Sequence, residues 1–418
     1  MSGWTTSTLG EVVARSGGVL QTGPFGSQLH ASDYRSEGTP LVMPVNMGDN
    51  VIFESGIARI GPEDVRRLSK HRLRAGDILF SRRGDVGRRA IVRPEHEGWL
   101  CGTGCLAVKF GKRQAHVNPE FVALAVGTAA AQDWILDNAV GGTMLNLNTS
   151  ILSALPISLP SKQEQDWVVN ALSSNSAQVG VLERLLSKQR DLKQGVMQQL
   201  LTGETRLPSS TGAWTPLRVA AVSHLKARIG WQGLTTQEYR STGEFRLVGG
   251  TDFRGGRVDW AKTPFVDRWR FDQDANIQLR AGDVLITKDG TIGKVAFVDS
   301  LPGPATLNSG VFVVRPKRDA YVSEFLYWVL RSRIFEEFVA GLSAGSTINH
   351  LYQRDLVKLE IQVPPTLREQ RAIARVVSDI DDEVITVARQ LESAQSIRTG
   401  MMQQLLTGRT RPPVGGLL

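Results

Sequence analysis

At 418 residues, with 41% hydrophobic and 22% charged side chains, the chain predicts an ordinary globular protein of two to four domains, each able to bury its own core. No apolar run reaches the roughly eighteen residues of a membrane span, and the start, Met-Ser-Gly-Trp-Thr-Thr, lacks a secretion signal's apolar core. A net charge of +8 favours a polyanionic partner, because Lys and Arg gain affinity by releasing phosphate counterions. The two cysteines, Cys101 and Cys105, lack the second Cys or His pair of a zinc site and read as reduced thiols.

In chain order, residues 1 to about 160 are rich in Gly and Pro. They hold short β-type runs at 40–44, 77–80, 90–92, 105–110 and 157–159, which predict a twisted, largely antiparallel sheet. A helix is expected over 119–138, with Phe121, Leu124, Ala125 and Trp134 to bury. From 163 to 202 there is no proline and apolar residues fall at helical spacing. The second half repeats this order: strand-like runs, a helix over 322–338, and a final long helix. In the last helix Ile373, Val377, Ile380, Val384, Val387 and Leu391 alternate four and three apart, a heptad seam interrupted at Arg398. Stepping back 205 residues gives the seam of the first copy: Val168, Leu172, Asn175, Val179, Leu182 and Leu186. Asn175, where the other copy has Ile380, fits a register-setting residue or a surface position.

The repetition is literal in places. Gly195-Val-Met-Gln-Gln-Leu-Leu-Thr-Gly-Glu-Thr-Arg-Leu-Pro208 returns from Gly400 to Pro413, identical at 11 of 14 positions. Leu73-Arg-Ala-Gly-Asp-Ile-Leu79 returns from Leu279, and Glu164-Gln165 as Glu369-Gln370. A period this long is a duplicated domain pair, not a solenoid. Each helix of roughly 40 residues, or about 60 Å, should close at the glycine of Thr202-Gly203 or Thr407-Gly408. An amphipathic helix of that length cannot bury its seam alone. The two therefore either pair antiparallel about an approximate two-fold axis or each pack on their own domain.

Catalytic signatures are missing. Asn118-Pro-Glu-Phe121 lacks the second proline and the glycine-rich cofactor loop of an amino-methyltransferase, and reads as a helix start. Gly290-Thr-Ile-Gly-Lys294 and Gly84-Asp-Val-Gly-Arg88 lack the spacing of a phosphate-binding loop and read as hairpin turns. The six histidines are scattered through unrelated segments.

What repeats is suited to binding. Gly23-Pro-Phe-Gly-Ser-Gln28 opens the first domain and Arg228-Ile-Gly-Trp-Gln-Gly233 the second, giving Phe25, Ser27, Gln28, Trp231 and Gln232. Glutamine can bond an adenine edge, and an exposed aromatic can touch thymine methyls or wedge between base steps. The basic hairpins supply Arg82, Arg83, Arg88 and Arg89 in one half, and Lys288, Thr291 and Lys294 in the other, as candidates for phosphate or guanine. Small-polar loops supply Thr143 and Asn146, aligned with Ser346, Thr347 and Asn349.

Taken together, the duplicated Met-Gln-Gln-Leu-Leu-Thr-Gly helix ends, the Glu-Gln lead-ins, the Leu-Arg-Ala-Gly-Asp segments, and the Gly-Pro-Phe-Gly-Ser and Gly-Trp-Gln-Gly-Leu turns carry a family resemblance. The chain resembles the specificity subunit of a type I restriction–modification system along essentially its whole length. The resemblance implies an α+β fold with target-recognition domains at 1–160 and 207–364. Conserved helical regions at 161–206 and 365–411 would form an antiparallel coiled coil, followed by a tail, 412–418. It implies a cytoplasmic, non-catalytic subunit in which each domain reads one half of a bipartite double-stranded DNA target. The partners implied are two modification (methyltransferase) subunits and restriction subunits. S-adenosylmethionine, ATP and Mg would be held by those partners and none by this chain. Weak similarity between the two domains implies unequal half-sites. A related two-subunit system with fused methylase and nuclease, and a stand-alone DNA-binding scaffold, are the alternatives.

Overall fold

A computed structural model describes residues 3–142, 144–208, 210–230, 233–342 and 350–411. It divides into two compact units, one of residues 1–182 with 390–418 and the other of residues 183–389. Each therefore combines one mixed domain with part of each long helix.

In the first unit a four-stranded antiparallel sheet runs in the order Val19–Thr22, Cys105–Lys109, Ile78–Ser81, Arg89–Ile91. A second four-stranded sheet, Tyr34–Arg35, Ala58–Ile60, Thr39–Val42, Leu100–Cys101, ends in a parallel pair, so the antiparallel expectation holds for most ladders and not all. The second unit repeats the first arrangement as Ser223–Ala227, Val311–Pro316, Val284–Thr287, Val295–Phe297, extended by two short strands to six. Both predicted mid-domain helices are broken in two. Pro119–Ala125 and Ala129–Asn138 are separated at Gly127, and Ser323–Leu330 and Arg333–Leu342 at Arg331-Ser332. Glycine is needed at 127 because a Cβ there would run into the guanidinium of Arg89, which reaches past it to the Ala123 carbonyl at 3.2 Å.

The long helices are continuous, Lys162–Thr202 and Leu367–Leu405. Each is closed by a left-handed glycine, Gly203 (φ 77°) and Gly408 (φ 69°), packed under the rings of Trp214 and Trp4 respectively. Trp4 meets Phe121 edge-on at 6.0 Å and Trp214 meets Phe325 edge-on at 6.2 Å, so the duplicated Thr-Gly end docks on a duplicated aromatic pair.

In the second unit the helix segments run antiparallel: Lys193 bonds Asp381 at 2.5 Å, and Arg206, just past the helix end, bonds Glu369 near the start of the other helix. Met197, Leu200 and Leu201 share one core with Ile373, Ala374 and Val377, and that core also contains Phe325 and Trp328 of the mixed domain. In the first unit Val168, Val169 and Leu172 join Leu405, Leu406 and Phe121 in the same way. Pairing with the other helix and packing on the domain thus coexist.

Val168, Leu172, Val179, Leu186, Ile373, Val377 and Val387 are buried, while Leu182, Val384 and Leu391 are partly covered. Ile380 is partly covered like these, and its neighbour Asp381 is buried as well, held by Lys193. Asn175 is buried, which removes the surface alternative, and its Oδ1 has no hydrogen-bond partner.

The Glu-Gln lead-in acquires a reason. Gln165 accepts from the Asn118 amide at 2.8 Å and donates to the carbonyls of His116 and Pro160. Gln370 accepts from the Val322 amide at 2.8 Å and donates to Pro364. Each glutamine, almost fully buried, ties the start of a long helix to the start of a domain helix.

Candidate nucleic-acid interface

The first basic hairpin turns between Ile78–Ser81 and Arg89–Ile91, with Gly84 in the left-handed region (φ 75°). Its near side is sewn to two distant loops by backbone bonds. The Arg82 amide donates to the Gly104 carbonyl at 2.8 Å, the Leu147 amide donates to the Arg82 carbonyl at 2.8 Å, and Arg83 and Asn146 form a β-bridge. The Arg82 guanidinium lies 5.7 Å from the centre of the Phe25 ring, within range for a cation–π contact, and that ring is 53% exposed. Phe25, Arg82, Arg83 and Asn146, from three separated segments, therefore meet in one patch.

Three buried polar atoms in or beside this patch have no partner within the chain: Arg82 Nε, Thr103 Oγ1 and Asn146 Oδ1. Buried polar atoms are normally satisfied, so these three are free to bond a ligand or water. Ser27 is exposed on the adjoining turn. Gln28 instead turns back to accept from the Phe25 amide at 3.2 Å, which makes it a cap for that turn.

The other arginines separate. Arg88 is exposed and paired with Asp85 at 2.8 Å. Arg89 is buried, its Nε on the Ala123 carbonyl and its Nη2 2.8 Å from Asp49; burial pulls its pKa down and Asp49 offsets part of that. It braces the hairpin from inside and is not presented to a phosphate.

The second unit repeats the frame with other side chains. The Lys288 amide donates to the Gly310 carbonyl at 2.9 Å, and the Leu351 amide donates to the Lys288 carbonyl at 2.8 Å. Leu351 thus corresponds to Leu147, and His350 to Asn146. This moves by one residue the sequence alignment that paired Asn146 with Asn349. His350 bridges to Asp289, and its Nδ1 contacts the Asp289 carboxylate, which Lys288 Nζ also approaches at 3.1 Å. No sequence pattern marked His350, because its partner lies 61 residues away across the hairpin.

Thr291 and Lys294 are exposed on the hairpin loop, where Thr287 Oγ1 accepts from the Lys294 amide and donates to the Thr291 carbonyl. The loop after Ala227 is anchored by Arg228, 2% exposed, whose guanidinium donates to Leu307 O, Gln273 Oε1 and Thr306 Oγ1. Trp231, Gln232, Thr143, Ser346, Thr347 and Asn349 lie outside the described residues, as does the 412–418 tail.

Asn118 is the cap of helix Pro119–Ala125, its side chain accepting from the amides of Glu120 and Phe121, as a helix start requires. Cys101 and Cys105 are free and buried. Among the described residues, no group of three or more His, Cys, Asp or Glu is arranged to hold a metal ion, and no helix is long and apolar enough to cross a membrane.

Known proteins resemble this chain over most of its length. The family model described as type I restriction modification DNA specificity domain matches residues 1–188 and 235–394. A protein of Methanocaldococcus jannaschii assigned as the MjaX type I restriction enzyme specificity subunit is 22% identical over 392 residues, covering 90% of this chain and 88% of that protein. The MjaVIII specificity subunit of the same organism is 21% identical over 295 residues, covering 67% of this chain and 68% of its own length. The crystal structure of a type I restriction–modification S subunit from M. genitalium aligns with a TM-score of 0.64 at 17% identity over 96% of both chains. A chain from a structural study of type I complex assembly aligns at 0.52 and 19% identity, over 97% of this chain and 98% of its own.

Proposed function

This chain belongs to the family of type I restriction–modification DNA specificity proteins, non-catalytic subunits for DNA recognition, and from that premise we propose that it reads a bipartite, asymmetric DNA target. The observation that carries this reading is one backbone frame built twice with different side chains. Gly104, Arg82 and Leu147 recur as Gly310, Lys288 and Leu351, but the groups displayed change from Phe25, Arg83 and Asn146 to Asp289 and His350. A frame kept in both units suits holding phosphate and register; side chains that differ suit unlike base sequences.

In this reading the helix pair acts as a ruler that fixes the spacer between half-sites. The chain recruits two methyltransferase subunits and, in the full complex, restriction subunits, in the cytoplasm. S-adenosylmethionine, ATP and Mg belong to those partners. The test is a methylome: the chain is expressed with its neighbouring modification subunit in a host lacking DNA methylation, and N6-methyladenine is mapped by single-molecule sequencing. A two-part, non-palindromic motif that appears only with this chain is expected. A soluble, active partner complex that yields no motif would overturn the reading and leave a DNA-binding scaffold.

A further inference from the structure

We infer that a third segment completes each patch, and that its exposed tip, Val45 in the first unit and Thr251 in the second, contacts a base edge; this rests on the DNA-recognition reading above. The two segments are single 3-10 turns, Pro44–Asn46 and Gly250–Asp252, each following a strand (Thr39–Val42 and Phe245–Val248). Their construction is the same. Asn46 Oδ1 accepts from the Met43 amide at 3.0 Å, and Asp252 Oδ2 accepts from the Gly249 amide at 2.8 Å. Both capping side chains are buried, so each turn is rigid.

Both turns are also tied to the frame of their patch. The Gly102 amide donates to Val42 O at 2.9 Å and the Asn308 amide to Val248 O at 2.8 Å. These are the segments that supply the Gly104 and Gly310 carbonyls for Arg82 and Lys288. Pro44 packs beside Gly104, and Gly250 packs against the methyl of Thr287, the residue before Lys288.

On this scaffold the middle residue of the turn is presented outward. Val45 is 77% exposed, more than any other large hydrophobic side chain among the described residues, and Thr251 is exposed at the matching position. A single exposed valine is unremarkable on a protein surface. A valine held on a rigid turn that packs beside Gly104, the partner of the Arg82 amide, and replaced by a threonine on the same turn in the other unit, has the pattern of a specificity position. Valine offers only apolar contact, which in the major groove suits the thymine methyl; threonine adds a hydroxyl, which in Thr251 donates to the Asp252 carboxylate and so is left to accept from a base donor.

The test uses the full chain, co-expressed with its methyltransferase subunit, and selection from a randomised DNA duplex library. Val45→Ser should relax a thymine preference at one position of one half-site and leave the other half-site unchanged. Thr251→Val should alter one position of the other half-site only. For the unsubstituted chain, replacing that thymine by deoxyuridine, which removes only the methyl, should weaken binding about four-fold. Val45→Ser should bind the two duplexes equally.

An unchanged motif in Val45→Ser, or a uniform loss of affinity with no positional change, would overturn the inference while leaving DNA recognition intact. Absence of any motif for the unsubstituted chain would overturn the DNA-recognition reading itself. Should Val45→Ser not fold, Val45→Asn, which also removes both methyls from that position, carries the same comparison.

Discussion

The Leu-Arg-Ala-Gly-Asp loop occurs in both units with the same turn and different electrostatics. Asp77 accepts from the Arg74 amide at 2.9 Å and Asp283 from the Arg280 amide at 2.8 Å. Opposite each loop stands a basic residue on the neighbouring strand, Lys109 in one unit and Arg315 in the other. Lys109 spends its ammonium on the carbonyls of Lys70 and Arg72. Arg315 bonds the equivalent carbonyls, Asn276 and Gln278, and still grips both oxygens of Asp283 at 2.5 and 2.7 Å. The planar guanidinium fork serves carbonyls and carboxylate at once, whereas a point-charge ammonium is drawn to one side. The consequence is that burial pushes the Asp77 pKa up to about 6. Duplication kept the turn and let its charge balance drift, which teaches that the frame, not each side chain, is what the two units share.

The largest effect expected from breaking this comparison lies in the helix pair. Lys193 and Asp381 form a largely buried ion pair at 2.5 Å, whereas the positions one repeat away are Arg398 and Ser176, which cannot form one. Lys193→Met should cost about 3 kcal/mol by leaving Asp381 buried with only Arg331, at 3.8 Å, nearby. Arg398→Met should cost well under half of that. Thermal or denaturant unfolding of both variants measures the difference, and equal losses would remove the asymmetry.

Next comes the Asp77 loop. A carboxyl whose folded pKa stands above its unfolded one contributes stability that is present below about pH 4 and lost as pH rises to about 6. Asp77→Asn, neutral throughout, should gain on the unsubstituted chain across that window, by roughly 2 kcal/mol above pH 7. Asp283→Asn should lose stability at the same pH, because it breaks the bidentate pair. Denaturation midpoints at pH 4, 6 and 8 give the comparison.

The smallest effect on the fold, though a clear one on binding, is expected at the exposed patch. Arg82→Ala with Arg83→Ala should leave the melting temperature nearly unchanged and reduce the salt dependence of DNA affinity by about two in log–log slope if both contact phosphate. An unchanged slope with altered preference in one half-site would assign them to bases instead. Inserting four residues after Thr202 sharpens the ruler reading: the spacer of the methylated motif should change while both half-sites stay as they were, and an altered half-site would refute it.

Much of this fold was legible in the chain itself, because helix seams, glycine-closed helix ends and a long internal repeat are local patterns. The heptad spacing and the Thr-Gly stops specify the two long helices, and repeated Gly-x-x-Gly hairpins specify where the sheets turn. What tertiary structure alone decided is which candidates face outward and which are braces. Arg82 and Arg89 stand seven residues apart on one hairpin, yet one meets Phe25 at the surface and the other is buried against Asp49 and Ala123. His350, Thr103 and Val45 gave no signal, since each acquires its place from chain segments tens of residues distant. At Asp381 a charged residue is buried next to a seam isoleucine because Lys193 lies opposite, a pairing that no reading of one helix can contain.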